Sequence, residues 1–238
     1  MKKFLNLKNV ILAVNILFIL EICVMNYFYQ KNDFDFTLKC VCSISFAVLG
    51  LINLGYAIFT KQENLKFFIV MAVGLIFAMT GDIVLEIVFV AGAGFFAIGH
   101  IVFVIAYCLL KKIGVLEFIV AAITFVLAGS FLLFSKQLDF GGELMKWVCV
   151  IYALIISLMF GKAVANFVYE RNVFYALIAV GSLLFVFSDL MLVLNNFIGK
   201  WNWTEYACLA TYYPALCLFT FSMFFKTLTV KKETLKVE

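Results

Sequence analysis

Long apolar runs separated by short polar breaks dominate the chain. Eight runs reach the roughly 20 residues that cross a bilayer as a helix, at about 10–28, 38–59, 67–90, 92–110, 114–134, 145–167, 173–198 and 203–225. They are continuous, without the two-residue alternation of a membrane β-barrel. The pattern predicts an all-α polytopic bundle, one transmembrane domain of eight helices over residues 1–238. Only 29–37 and 135–144 are polar loops of any length. The first run follows Lys2, Lys3 and Lys8 and so resembles a signal peptide in outline. It contains Glu21 and ends in Tyr27-Phe28-Tyr29 rather than at a small-residue cleavage site. It is expected to remain as the first spanning helix.

Composition agrees with the runs. The chain is 66% hydrophobic and 13% charged, whereas a soluble domain is about half apolar and about a quarter charged. The net charge of +4 does not point to nucleic acid, because the basic residues flank the runs, where they orient helices. With the N-terminus in the cytoplasm, only Lys31, Lys39, Lys136, Lys146 and Lys200 of the 18 Lys and Arg fall on the far side. An even number of spans then puts both termini in the cytoplasm, and a bacterial cytoplasmic (inner) membrane is the expected location. The seven cysteines are scattered through apolar runs and form no disulfide framework. Cys40-Val41-Cys42 has no histidine nearby, so no metal site is expected, and no cofactor motif is present.

Against this background the buried polar residues stand out. Asp82 lies in MTGDIVLEIVF, Asp189 in LLFVFSDLMLVL, and His100, the lone histidine, in GFFAIGHIVFVIAY. A carboxylate in lipid costs roughly 3 kcal/mol or more on insertion scales. At about 1.5 Å per residue, Asp82 and Asp189 lie about 24 Å along their outward-running helices. His100 lies about 12 Å into an inward-running one. All three fall in the outer half of a core about 30 Å thick. Tyr212 and Tyr213 reach a similar level, and Glu21 is expected not far from it. Shared depth predicts a shared cavity.

Each residue also has a plainer reading. Asp82 and Glu86 are four apart and share a helix face. Two like charges in an apolar medium disfavour double ionisation, and a carboxyl that keeps its proton is what a general acid needs. The plainer alternative is a hydrogen bond to a neighbouring helix. His100 has Phe96, Phe103 and Tyr107 on its own face and suits either a proton carrier or a satisfied core residue. Asp189 follows Ser188 and shares a polar stripe with Asn196. An interhelical hydrogen bond contributes only about 1 kcal/mol in a membrane, which is little return for a carboxylate in lipid. Glu21, Asn15 and Asn53 are expected as secondary walls of the cavity, structural rather than catalytic. Lys162 is expected to snorkel from an inner helix end. Gly92, Gly94 and Gly99 are expected at close helix approaches. Three function classes stay open on these residues: an enzyme using acid–base chemistry, a small proton-coupled transporter or carrier, and a non-catalytic scaffold.

The motifs Gly81-Asp82-x-x-Leu85 and Phe89-x-x-Gly92-x-x-x-Phe96-x-x-x-His100 resemble the signature of the YhhN-like, lysoplasmalogenase family. So do the run from Gly181 through Ser188-Asp189, then Asn195-Asn196-Phe197, and Thr211-Tyr212-Tyr213. The resemblance implies an eight-span enzyme that hydrolyses the vinyl ether of a lysophospholipid substrate, lysoplasmalogen. The products are a fatty aldehyde and glycerophosphoethanolamine or glycerophosphocholine. The chain departs from the family pattern at Phe103, where Tyr is frequent, and at Ala215-Leu216, where Gln is frequent. Glu86 replaces a usual apolar residue. The implied chemistry protonates the alkene carbon, forms an oxocarbenium ion and adds water, so it needs an acid, a carboxylate facing the cation and a base for the water. Paired carboxylates divide such roles around other oxocarbenium-like transition states. The expected assignment makes Asp82 the acid/base and Asp189 the water-activating or cation-stabilising carboxylate, with the reverse open. His100 would relay the proton. Glu86, Ser188, Asn196, Tyr212, Tyr213 and Glu21 are expected around the substrate, with membrane lipids as the surroundings.

Overall fold

The computed structural model describes residues 2–32, 34–199 and 202–234. They form eight helices: α1 (Lys2–Lys31), α2 (Phe36–Phe59), α3 (Leu65–Leu85), α4 (Phe89–Leu110), α5 (Leu116–Phe134), α6 (Glu143–Tyr169), α7 (Val173–Phe197) and α8 (Asn202–Thr234). Each contains a stretch long and apolar enough to cross a membrane. Helices suit that medium because every backbone N–H and C=O is satisfied within the segment. Among the described residues there are no strands.

The breaks have local causes. Asp35 caps α2, its carboxylate accepting from the backbone N–H of Thr37 (2.7 Å) and Leu38 (3.2 Å). Asn172 caps α7 through Tyr175 N–H at 3.1 Å. The third run was expected to continue to residue 90, but α3 stops at Leu85 and Val88 is extended, with φ −141° and ψ 100°. Glu86 is the one charged side chain of that stretch, and the β-branched pair Ile87-Val88 favours extended backbone. Glu86 therefore caps a helix end instead of lying within the span.

Seven helices form a closed circuit in the order α1, α2, α3, α4, α6, α7, α8 and back to α1. The last helix also touches α2 and α3 and so fills the centre. Its core residues Tyr213, Phe219 and Phe224 are fully buried. In contrast, α5 packs against α6 alone. Two glycines set close crossings. A Cβ on Gly92 would meet the Leu85 backbone, and one on Gly161 would meet the Glu117 carbonyl and Ala121. Gly99 packs on Phe77 and Gly74, as expected, whereas Gly94 faces open space and mediates no crossing.

Lys162 does not snorkel. Its side chain is 2% exposed and bonds Glu117 Oε1 at 2.9 Å and the Lys112 carbonyl at 2.8 Å. It sits seven residues before the end of α6, about 10 Å deep, and Glu117 at the start of α5 comes in to meet it. This pair fastens α5 to α6. Asn15 and Asn53 are structural, as expected, rather than cavity walls: they exchange amide hydrogen bonds at 2.9 Å between α1 and α2.

Candidate active site

The C-terminal ends of α1, α3 and α7 and the N-terminal ends of α2, α4 and α8 converge at one end of the bundle. Between them lies a cavity of about 180 Å³. Asp82 from α3 and Asp189 from α7 both line it, with Tyr29, Lys39, Glu86, Phe96, Ser188 and Tyr212 among its other walls. The shared cavity expected from depth is present for Asp82, Asp189 and Tyr212, whereas His100 does not line it and lies buried behind Asp189.

Asp82 is buried at one side. Its Oδ2 accepts from Ser43 Oγ (2.5 Å) and from the Tyr213 hydroxyl (3.0 Å), and Oδ1 lies 3.2 Å from Lys39 Nζ. Lys39 and Ser43 are four apart and reach it from one face of α2. These partners donate to Asp82, so the group is set up as an acceptor, the state of an ionised carboxylate. Lys39 also pairs with Glu86 Oε1 at 2.5 Å. The expectation for Asp82 and Glu86 took the two carboxylates as facing each other alone on one helix face; in the structure the Lys39 ammonium stands between them. Burial of Lys39 is tolerated because it is paired with both.

At the other side Asp189 meets a second chain of groups. The Tyr152 hydroxyl donates to Asp189 Oδ2 at 2.7 Å and lies 2.8 Å from His100 Nε2. Asp189 Oδ2 is itself 3.4 Å from His100 Nε2. Nδ1 of the imidazole faces Met159 Sδ at 3.3 Å, and its ring packs edge-on against Phe185 at 4.7 Å. A proton on Nε2 completes an ordered line, His100 to Tyr152 to Asp189. The cavity-facing carboxylate thus ends a hydrogen-bonded line that begins in the protein interior.

The remaining expected residues divide. The Ser188 hydroxyl is buried against Cys208 Sγ at 3.3 Å and borders the cavity. Asn196 lines the mouth while its amide bonds its own helix at Leu192 O, 2.8 Å away. Tyr212 is a ring wall, packed on Phe96 (5.8 Å) and Phe185 (5.4 Å). Tyr213 does not border the cavity but holds Asp82. Glu21 is not brought in: it accepts from Ser45 at 3.1 Å in the α1–α2 contact. The α1 residue at the cavity is Tyr29, eight residues and about 12 Å further along the helix. Among the described residues, no three His, Cys, Asp or Glu side chains gather as metal ligands.

Reasoning on sequence alone passes over Lys39, Ser43 and Tyr152. The signal for Tyr152 is present. It lies nine residues into inward-running α6, as Tyr212 lies about nine into the last apolar run. Lys39 looks like an ordinary flanking charge, and only Ser43 one turn on marks its face as polar.

A second, apolar space adjoins the first. A slot of about 520 Å³ runs between α4, α5, α6 and α7, and it shares Phe89, Phe96, Asp189 and Leu192 with the polar cavity. Asp189 thus stands where a polar chamber meets a hydrocarbon-lined one.

Comparison with curated proteins and with solved structures gives no match. A family profile does match, over residues 34–223, from the loop before α2 into α8, and this stretch holds every site residue above except Tyr29. On that match, the chain belongs to the YhhN family.

Proposed function

We propose that this protein is a membrane hydrolase that cleaves the vinyl ether bond of lysoplasmalogens. The observation that carries the reading is the junction at Asp189. There a polar cavity with two carboxylates and an apolar slot share a wall, which suits a lipid whose labile bond joins a polar head to one hydrocarbon chain. The reading is also what the family resemblance implies.

The donor pattern favours the reverse of the assignment expected from sequence. With His100 doubly protonated, Nε2–H passes its proton to the Tyr152 hydroxyl as that hydroxyl passes its own to Asp189, leaving a neutral imidazole protonated on Nδ1. Asp189 then delivers a proton to the alkene carbon distal to the ether oxygen. The C=C π pair forms the new C–H bond, and the carbon next to oxygen becomes an oxocarbenium ion. Asp82, held as a carboxylate by Lys39, Ser43 and Tyr213, faces this cation and accepts a proton from the water that adds to it. The hemiacetal then passes its hydroxyl proton to the ether oxygen and splits into aldehyde and free glycerol hydroxyl. Preorganised charge in a site shielded from bulk water supplies the main electrostatic stabilisation.

The charge bias of the loops supports a location of this end on the non-cytoplasmic side of a bacterial inner membrane. The test is direct. Purified protein is mixed with lysoplasmenylethanolamine and aldehyde is measured. Turnover that disappears in both Asp82→Asn and Asp189→Asn, with both variants folded, supports the reading. Wild-type protein that releases no aldehyde overturns it. Accumulation of lipid in vesicles without turnover assigns the site to a carrier instead.

A further inference from the structure

The apolar slot exists because α5 stands off from α4 and α7. Among the described helices it packs on α6 alone, so the gap is open along one side to the surrounding bilayer. Small side chains keep it open: Ala93 on α4, Ala128 on α5, and Ala153 and Ser157 on α6. Leucine or phenylalanine at these places would close it. Among the slot's lining residues the only ionisable carboxyl is Asp189, where it joins the polar cavity.

We propose that this slot is a binding site for one hydrocarbon chain of an amphiphilic lipid, entered sideways from the bilayer between α5 and the α4–α7 face. That the lipid is the hydrolase substrate rests on the function proposed above; the slot itself rests on its geometry. The occupant is single-chained because the slot adjoins the chamber for the head along a narrow shared border, Phe89, Phe96, Asp189 and Leu192. Hydrophobicity alone gives a chain no reason to leave the bilayer, which is equally apolar. What the slot adds is register. A chain laid against the fixed walls of α6 and α7 presents one bond, and not its neighbours, to Asp189.

Along α6 the lining runs from Cys149 to Phe160, and Tyr152 to Phe160 is eight residues, about 12 Å. A chain registered at Asp189 therefore has about that length of α6 wall to lie against.

A non-cleavable alkyl-ether lysophospholipid with a diazirine near its chain end tests this. The full chain is placed in phosphatidylcholine nanodiscs with the probe, irradiated, and the adducts are mapped by mass spectrometry. Adducts are expected on Leu127, Phe160 and Leu183. Ala153→Phe fills the slot and should lower capture several-fold through lost packing of the chain against its walls, and a probe with a shorter chain should recover it. Ala128→Phe, on the half-buried face of α5, is the second variant should Ala153→Phe unfold. Three results overturn the proposal: adducts spread evenly over all lipid-facing helices, capture unchanged in folded variants, or competition by diacyl lipid as strong as by single-chain lipid. Capture in the slot without aldehyde release from the cleavable lipid leaves the slot standing and removes the hydrolase. Aldehyde release without capture does the opposite.

Discussion

Lys39 and Asp82 are each about 5% exposed and 3.2 Å apart. Breaking a buried pair by removing one partner costs about 3–5 kcal/mol, because the other charge stays buried and uncompensated. Lys39→Met is expected to lower the unfolding temperature in detergent and to abolish aldehyde release. Adding Asp82→Asn to it should restore most of the stability and none of the activity. A double variant as unstable as Lys39→Met would show that the pair is not what the lysine serves. Tyr152 is a different case, since its hydroxyl bridges His100 and Asp189 without carrying charge. Tyr152→Phe should lower kcat about a hundredfold, the lower range for acid–base catalysis, with little change in KM and little loss of stability. A large rise in KM alone would make it a binding residue. Both residues escape a reading of the sequence for physical reasons. A lysine at the start of a helix reads as an interfacial anchor, and one tyrosine among ten carries no signal until its depth is compared with that of Asp189.

At the level of elements, the eight apolar runs foretell the helices well, because the length of a span is dictated by the bilayer. Their ends are less legible. The turn at residues 86–88 is hidden in an uninterrupted apolar stretch, and only Glu86 marks it. The isolation of α5 is not legible at all, since its hydrophobicity matches that of its neighbours. It is held by the Gly161 crossing and by Lys162–Glu117. Lys162→Met alone should cost about 3–5 kcal/mol by stranding Glu117. In a variant keeping Cys149 as the lone thiol, that loosening should raise its labelling by a lipophilic maleimide, because buried Cys149 packs against Leu132 of α5. Unchanged labelling would mean that other contacts suffice to hold the helix. Gly161→Ala presses on the Glu117 backbone and should cost about 1–3 kcal/mol through overpacking.

For the whole molecule, the eight described helices, each long and apolar enough to cross a membrane, lead to the proposal that both chain ends lie on one side, and the lysine and arginine bias supports the cytoplasm as that side. A C-terminal fluorescent-protein fusion should fluoresce, while a periplasm-dependent phosphatase inserted in the 135–142 loop should be active. The opposite result would turn the bundle over and place the cavity mouth in the cytoplasm. Sequence depth counting brings Asp82, Asp189, His100 and the tyrosine pair to one level correctly, because a straight helix converts residue number into distance. It misplaces Glu21, since depth along α1 was counted without knowing that the cavity meets this helix only at Tyr29.

The ion pair between α2 and α3 bears on how the chain enters the membrane at all. Taken alone, a segment carrying Asp82 leaves the translocon against a penalty of up to about 3 kcal/mol, and Lys39 burdens its own segment in the same way. The two helices are consecutive, joined only by residues 60–64, and antiparallel neighbours. A hairpin that leaves the channel as a unit carries its charges already neutralised. Synthesis order then protects the site: Lys39 and Asp82 find each other before α8 is made, and Tyr213 later docks onto an acceptor already in position. Lengthening the 60–64 connection should therefore impair insertion more than stability, a distinction visible as degraded nascent chain alongside a normally stable surviving fraction.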